Sequence, residues 1–229
     1  MSNEQFQVIV WVLTILMFGT LGYFLVKRLR TNKDHRRQAM LAYEAKKEKY
    51  TYLKPGAFDE CPREDITAAA LFHCMRKEDE DFDNYYENMT HAERVIYGIY
   101  QVTVSLNGAN ASLHSFFLSP ASQPFVPTIV EIFEEVGAHD IATLMKAAKR
   151  FAEIIENDED DEEDDPEMGD YSRYNFSDFT NEFLTLVSTT NLNEQMIDYV
   201  LAHKEEFYDT NIPEDREESG DEIDEGISE

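Results

Sequence analysis

Apolar positions along the chain follow two kinds of pattern. Phe6 to Val26 is an unbroken run, FQVIVWVLTILMFGTLGYFLV, with no charged residue. Beyond it, apolar residues recur at spacings of three and four with no sustained period of two, which predicts helices and no strands. The expected fold class is therefore all-α: a single N-terminal transmembrane helix, a helical domain and an acidic, disordered tail.

The periodic part divides at recognisable stops. Residues 27–54 read as a basic helix carrying Met40, Tyr43 and Tyr50, ended by Lys54-Pro55-Gly56. Residues 55–88 read as a linker with one helix, Glu64 to Lys77, whose Ile66, Ala69, Ala70, His73 and Lys77 share a side, before an acidic break at Glu78 to Asp81. The main helical domain is expected over 89–208. It opens on Thr90-His91-Ala92-Glu93, a capping box in which the hydroxyl and the glutamate satisfy orphan N–H groups reciprocally. Behind the box run Val95, Ile96, Ile99 and Tyr100, and then a short helix with Leu113, Phe116 and Phe117. Pro127 suits the first turn of the next helix, striped by Ile129, Ile132, Phe133 and Val136, and Gly137 suits its end. Ile141 to Ile155 repeats the pattern, with Ile155 on the inward side. Two further helices, Asp178 to Val187 and Asn193 to Tyr208, follow an acidic loop at 157–170, the last with Asn191 and Glu194 as its cap. Residues 209–229 are expected to be a disordered acidic tail.

The uncharged run has the length of a membrane span. Its twenty-one residues as a helix cover about 31 Å, against a hydrocarbon core of about 30 Å. The segment lacks a basic flank before it and a small-residue cleavage site after it, as a removable signal would require. Lys27, Arg28, Arg30, Lys33, Arg36 and Arg37 follow at once, and the positive-inside rule holds that flank in the cytoplasm. The expectation is a single-pass protein of the inner membrane, with residues 1–5 outside, 6–26 in the bilayer and the rest cytoplasmic.

Charge then changes the picture of the domain. The formal net charge is −27. Residues 1–54 are net +6, and residues 55–229 net −33. A domain so acidic is a poor ligand for DNA, whose affinity rests on neutralising phosphates with Lys and Arg. It suits a protein partner with a basic surface, captured with electrostatic steering. The densest run, Asn157 to Asp165 (NDEDDEEDD), lacks the glycine turn and spaced ligands of a calcium-binding EF-hand loop.

Catalytic and metal motifs are sparse. Cys61 and Cys74 are the only cysteines, and His73 beside Cys74 invites a metal or nucleophile reading. Adjacent residues on a helix face different ways, and a four-ligand zinc set is not in the sequence. No phosphate loop, Gly-x-Ser-x-Gly, His-Glu-x-x-His or dinucleotide fingerprint occurs. No cofactor, metal site or catalytic residue is expected.

Four segments in order carry a resemblance: MTHAERVIYGIYQ (Met89 to Gln101), ANASLHSFFLS (Ala109 to Ser119), VEIFEEVGAHDIATLMKAAKRF (Val130 to Phe151), and the closing FTNEFLTL and MIDYVLAHKEEF. Over about Met89 to Tyr208 the chain resembles a bacterial all-helical family of unknown function that includes a dimeric DNA-mimic protein. Ala111 and Ser112 stand where the family has two glycines, and Leu113 where an aromatic is common. The resemblance implies Asn110, His114 and Phe116 as candidates lining whatever surface that motif builds, and it leaves a homodimer open. The functional expectation is a membrane-anchored, non-enzymatic interaction module that captures a basic or amphipathic partner. The alternative is a DNA mimic that sequesters a DNA-binding regulator, and an enzyme comes third.

Overall fold

The structure, a computed structural model, describes residues 36–107, 111–156, 169–210 and 212–213. The chain forms two units, Met1–Glu48 and Lys49–Glu229. In the first, residues 36–48 are helical, with Arg36 and Arg37 exposed. Lys27, Arg28, Arg30, Lys33 and the 6–26 run lie outside the described residues. No helix among the described residues is long and apolar enough to cross a membrane. The physical reason is visible in His139–Glu156, an 18-residue helix that is apolar on one face only and carries Asp140, Lys146, Lys149, Arg150, Glu153 and Glu156. This finding overturns the single-pass inner-membrane placement, and the topology derived from it falls with it.

Every regular element among the described residues of the second unit is helical. A helical turn at Ala57–Glu60 and a 3₁₀ turn at Arg63–Asp65 lead into α1 (Ile66–Glu80). Then come α2 (Tyr85–Asn88), α3 (His91–Ser105), α4 (Leu113–Leu118), α5 (Ile129–Glu135), α6 (His139–Glu156), α7 (Phe176–Thr190) and α8 (Leu192–Ala202). Helix α3 is the hub: α1, α4, α5 and α8 all pack on it, and α6 bridges α5 to α7.

Local chemistry sets the helix ends. The Thr90 hydroxyl accepts from Glu93 N–H, and the Glu93 carboxylate accepts from Thr90 N–H, so the capping box expected at α3 is made in full. Gly137 takes φ +81° past the end of α5. Ala138 N–H donates to Phe133 at 2.8 Å and Gly137 N–H to Glu134 at 2.9 Å, the paired bonds of a Schellman stop. Asn175 caps α7, with Asp178 completing a second capping box.

Aromatic side chains fill the core. Phe125 meets Tyr97 at 6.0 Å and Tyr86 at 5.1 Å, both edge-on, a favoured ring geometry. Gly98 permits the approach of α3 to this cluster. A Cβ there would stand 2.7 Å from Ile132 Cδ1 and 3.0 Å from Phe125 Cδ1.

Several expectations change. The segment 55–88 is no linker, because Phe58, Ile66, Phe72, Cys74 and Tyr85 sit in the same core as the later helices. Helix α1 runs on through Glu78 to Glu80, so the acidic break comes a turn later than expected. On α6 it is Ile154 that is buried and Ile155 that is half exposed. Asn191 stands at the N-cap position of α8, as expected, but not as a side-chain cap. Its φ of 55° makes it a left-handed link between α7 and α8, and its side chain makes no capping bond. Residues 157–168 of the acidic loop and 214–229 of the tail lie outside the described residues.

Candidate functional site

Two acidic regions of opposite character occupy this domain, one sealed and one open. The sealed one begins with Glu93, which is 0% exposed. Its carboxylate receives Lys77 Nζ at 2.6 and 2.8 Å and lies 2.7 Å from His73 Nε2. The same carboxylate closes the capping box, so one side chain both starts α3 and fastens it to α1. The other face of the imidazole, Nδ1, lies 3.3 Å from Asp209. Arg76 donates to Asp209 at 2.6 Å, to the Thr51 carbonyl at 3.0 Å and to Glu80 at 2.8 Å. Asp209 also accepts from Leu53 N–H at 2.8 Å, while its own N–H donates to Leu53 C=O at 2.9 Å.

Electrostatics follow from that geometry. Burial pulls the His73 pKa down, but hydrogen bonds to Asp209 and Glu93 outweigh it, and the result is raised. Burial pushes Glu93 and Asp209 up, yet the contacts to His73, with Lys77 for Glu93 and the Leu53 N–H and Arg76 for Asp209, hold both below their usual values. The imidazole of His73 thus lies between two carboxylates, an arrangement that favours its protonated form. Cys74 is also 0% exposed, and burial raises its thiol pKa well above the usual value. Both cysteines are free, and among the described residues no group of three or more His, Cys, Asp and Glu could hold a metal ion.

The open region lies on α5 and its neighbours. Glu131, Glu134 and Glu135 are exposed and fall at i, i+3 and i+4, one face of a helix. His91 Nε2 lies 2.7 Å from Glu135, which also accepts from Tyr199 at 3.3 Å, and His139 pairs with Glu134. No Lys or Arg salt bridge reaches these three among the described residues. The described residues from Lys49 onward hold twenty-five Asp and Glu against eleven Lys and Arg, so the fate of the cations decides the surface field. Arg76 and Lys77 enter the sealed cluster, and Arg63 bridges Glu194 and Asp198 at 2.8 Å each. Lys204 holds Asp59 at 2.6 Å. Arg94 turns to the Tyr86 carbonyl and ring, and Lys149 to the Pro127 carbonyl. Arg76, Lys77 and Arg94 thus turn to partly buried partners, while the other cations stay on a surface where carboxylates outnumber them.

Of the residues singled out by the family-like motif, two lie among the described residues, and both pack within the fold. Asn110 lies outside the described residues. Phe116 is 0% exposed and belongs to the core. His114 is half buried and stacks on Phe176 with ring centres 4.2 Å apart, so its ring packs α4 against α7. Sequence reasoning placed His73 and Glu93 on their helices but not in one cluster. The available signal was weak: a histidine and a lysine on the apolar side of α1, opposite a capping glutamate.

Fold and surface together define a class: an all-helical, strongly acidic domain with closed ionic chemistry inside and an excess of carboxylates outside. More specifically, the chain belongs to the DMP19-like protein family, whose sequence model matches residues 87–203, just over half of its length. No curated protein and no solved structure matches it. The sealed cluster crosses the edge of the matched span. Glu93 lies within it, whereas His73, Arg76, Lys77 and Asp209 lie beyond it.

Proposed function

We propose that this protein is a non-enzymatic interaction module whose acidic helical surface binds a protein with a basic surface. The observation that carries the reading is the excess of surface carboxylates, with Glu131, Glu134 and Glu135 ranked outward on one helix face that no Lys or Arg salt bridge reaches among the described residues. Such a surface steers a basic partner to itself and binds it in a salt-sensitive way. The groups best suited to chemistry, His73, Glu93 and Cys74, are each 0–1% exposed and cannot meet a substrate.

A narrower form of the reading is DNA mimicry, in which the partner is a DNA-binding protein. The α5 rank favours it, because a duplex presents a charge every ~1.7 Å and these three carboxylates span about 6 Å of helix axis. Affinity purification on the full chain, at low and high salt, tests both forms. The expected result is a basic protein retained at low salt, lost at high salt, and lost from a Glu131→Gln, Glu134→Gln, Glu135→Gln variant. Release of that protein by duplex DNA selects mimicry. Retention that ignores both salt and the triple substitution would defeat the proposal.

A further inference from the structure

The described histidines sort by their surroundings. His73 is sealed in the core, and His114 stacks on Phe176. His91, His139 and His203 are at least partly exposed, and each faces a glutamate: Glu135, Glu134 and Glu206 in turn. Two of those glutamates belong to the acidic rank on α5. Among the described residues the salt bridges to that rank come from imidazoles and from no Lys or Arg.

The fold brings these pairs together from separate helices. His91 opens α3 and His139 opens α6, and α5 packs against both. His91 Nε2 lies 2.7 Å from Glu135, and His139 Nδ1 pairs with Glu134. Tyr199, from α8, donates to Glu135 at 3.3 Å and stacks on His203 with ring centres 4.4 Å apart. Burial and the Glu135 charge push the Tyr199 phenol up, so it remains a neutral donor while imidazoles titrate. His203 lies 3.2 Å from Glu206, whose carboxylate also accepts from Ala92 N–H at 3.0 Å and so serves the first turn of α3. Beside His139 the charged groups are Glu134 and its exposed sequence neighbour Asp140. Glu131 has no histidine partner among the described residues.

We propose that protons regulate the acidic α5 face through His91 and His139. Protonated, the two imidazoles close Glu135 and Glu134 into ion pairs; neutral, they leave both carboxylates open to a basic partner. This gate rests on the reading of α5 as the partner-binding face and adds its control. Histidine is the side chain suited to the task, because its charge ordinarily changes between about pH 5 and 8. One proton on each ring cancels two of the three charges in the rank. A permanent cation in either place would cancel them at every pH. By linkage the effect is reciprocal: capture of a basic partner expels protons from the two rings.

The test is a titration of the ¹⁵N-labelled full chain with a capped hexa-arginine peptide, whose own charge is constant across this range. NMR shifts at the backbone amides of Glu131, Glu134 and Glu135 report binding at α5 itself, at about pH 5.5 and about pH 7.5. Wild-type affinity at these amides should rise about fivefold between the two. His91→Gln with His139→Gln, both at exposed positions that tolerate change, should bind within about twofold at the two pH values. Glu131→Gln should weaken binding at both and keep the wild-type ratio, because no histidine gates that carboxylate. Equal wild-type affinity at the two pH values, or a ratio that survives in the double histidine variant, would overturn the gate and leave α5 standing as a binding face. Absence of any salt-sensitive shift at these amides at either pH would remove the binding function, and the gate with it.

Discussion

Glu93 and Glu135 are the same residue type on neighbouring helices, and the molecule uses them in opposite ways. Glu93 is sealed with His73 and Lys77, where its charge ties α3 to α1. Glu135 stands on the surface with a histidine and a tyrosine, where its charge remains available to a partner. A buried ion is costly to desolvate and destabilises strongly when its partner is removed, whereas an exposed pair contributes little. The comparison teaches that acidity here has two jobs, separable by burial: one specifies the fold and the other dresses the surface.

The largest expected effect breaks the sealed side. Glu93→Ala removes the capping carboxylate and leaves Lys77, and the Nε2 face of His73, without a counter-charge, which should cost about 3–5 kcal/mol. A urea titration checks it: the midpoint should fall with little change in slope. The pH profile of stability probes the same cluster. His73 is raised above its ordinary 6.5, so its contribution is complete below that value and is lost as the pH climbs through the raised one. Glu93 and Asp209 are lowered from 4.5 and 3.8, so theirs is complete above those values and is lost as the pH falls through the depressed ones. Wild-type stability should therefore decline on both sides of a plateau, and Glu93→Ala should flatten both declines. Profiles of equal shape would show that the cluster does not govern stability.

A smaller effect gives the uncharged counterpart. Gly98→Ala brings a methyl against Ile132 and the buried Phe125 ring, and should cost about 1–3 kcal/mol with no change in the pH profile. Thermal unfolding across pH separates it from Glu93→Ala. Gly137→Ala forces a side chain into the left-handed region and should cost about 1–2 kcal/mol, read by the same melts.

What could be read along the chain was local. The Thr90–Glu93 box, the Gly137 stop and the order of the later helices all follow from spacings of a few residues, and the structure makes them as expected. What escaped depended on distance. His73 lies 20 residues from Glu93, and Arg76 lies 133 from Asp209, so no periodicity could join them. The need for glycine at 98 comes from Ile132 and Phe125, and burial of 55–88 comes from partners far along the chain. The uncharged run at 6–26 invited a membrane reading because length and hydropathy are all that a sequence shows of such a segment. Of the motif residues, Phe116 is buried in the core and His114 stacks on Phe176, packing contacts that no local spacing shows.

The smallest expected effect on stability is the sharpest test of the comparison. Glu131→Gln, Glu134→Gln and Glu135→Gln together remove three charges from α5 without altering its buried face of Ile129, Ile132 and Phe133. Because exposed carboxylates add little to folding, Tm should stay within about 2 °C of the wild type. Affinity for a basic partner should nevertheless fall, and its salt dependence should become shallower, since fewer charges take part in the encounter. A calorimetric melt and a binding titration on the same preparation decide the matter. If the melt shifts by as much as that of Glu93→Ala, the exposed rank is part of the fold after all. The division between structural and available acid would then be lost.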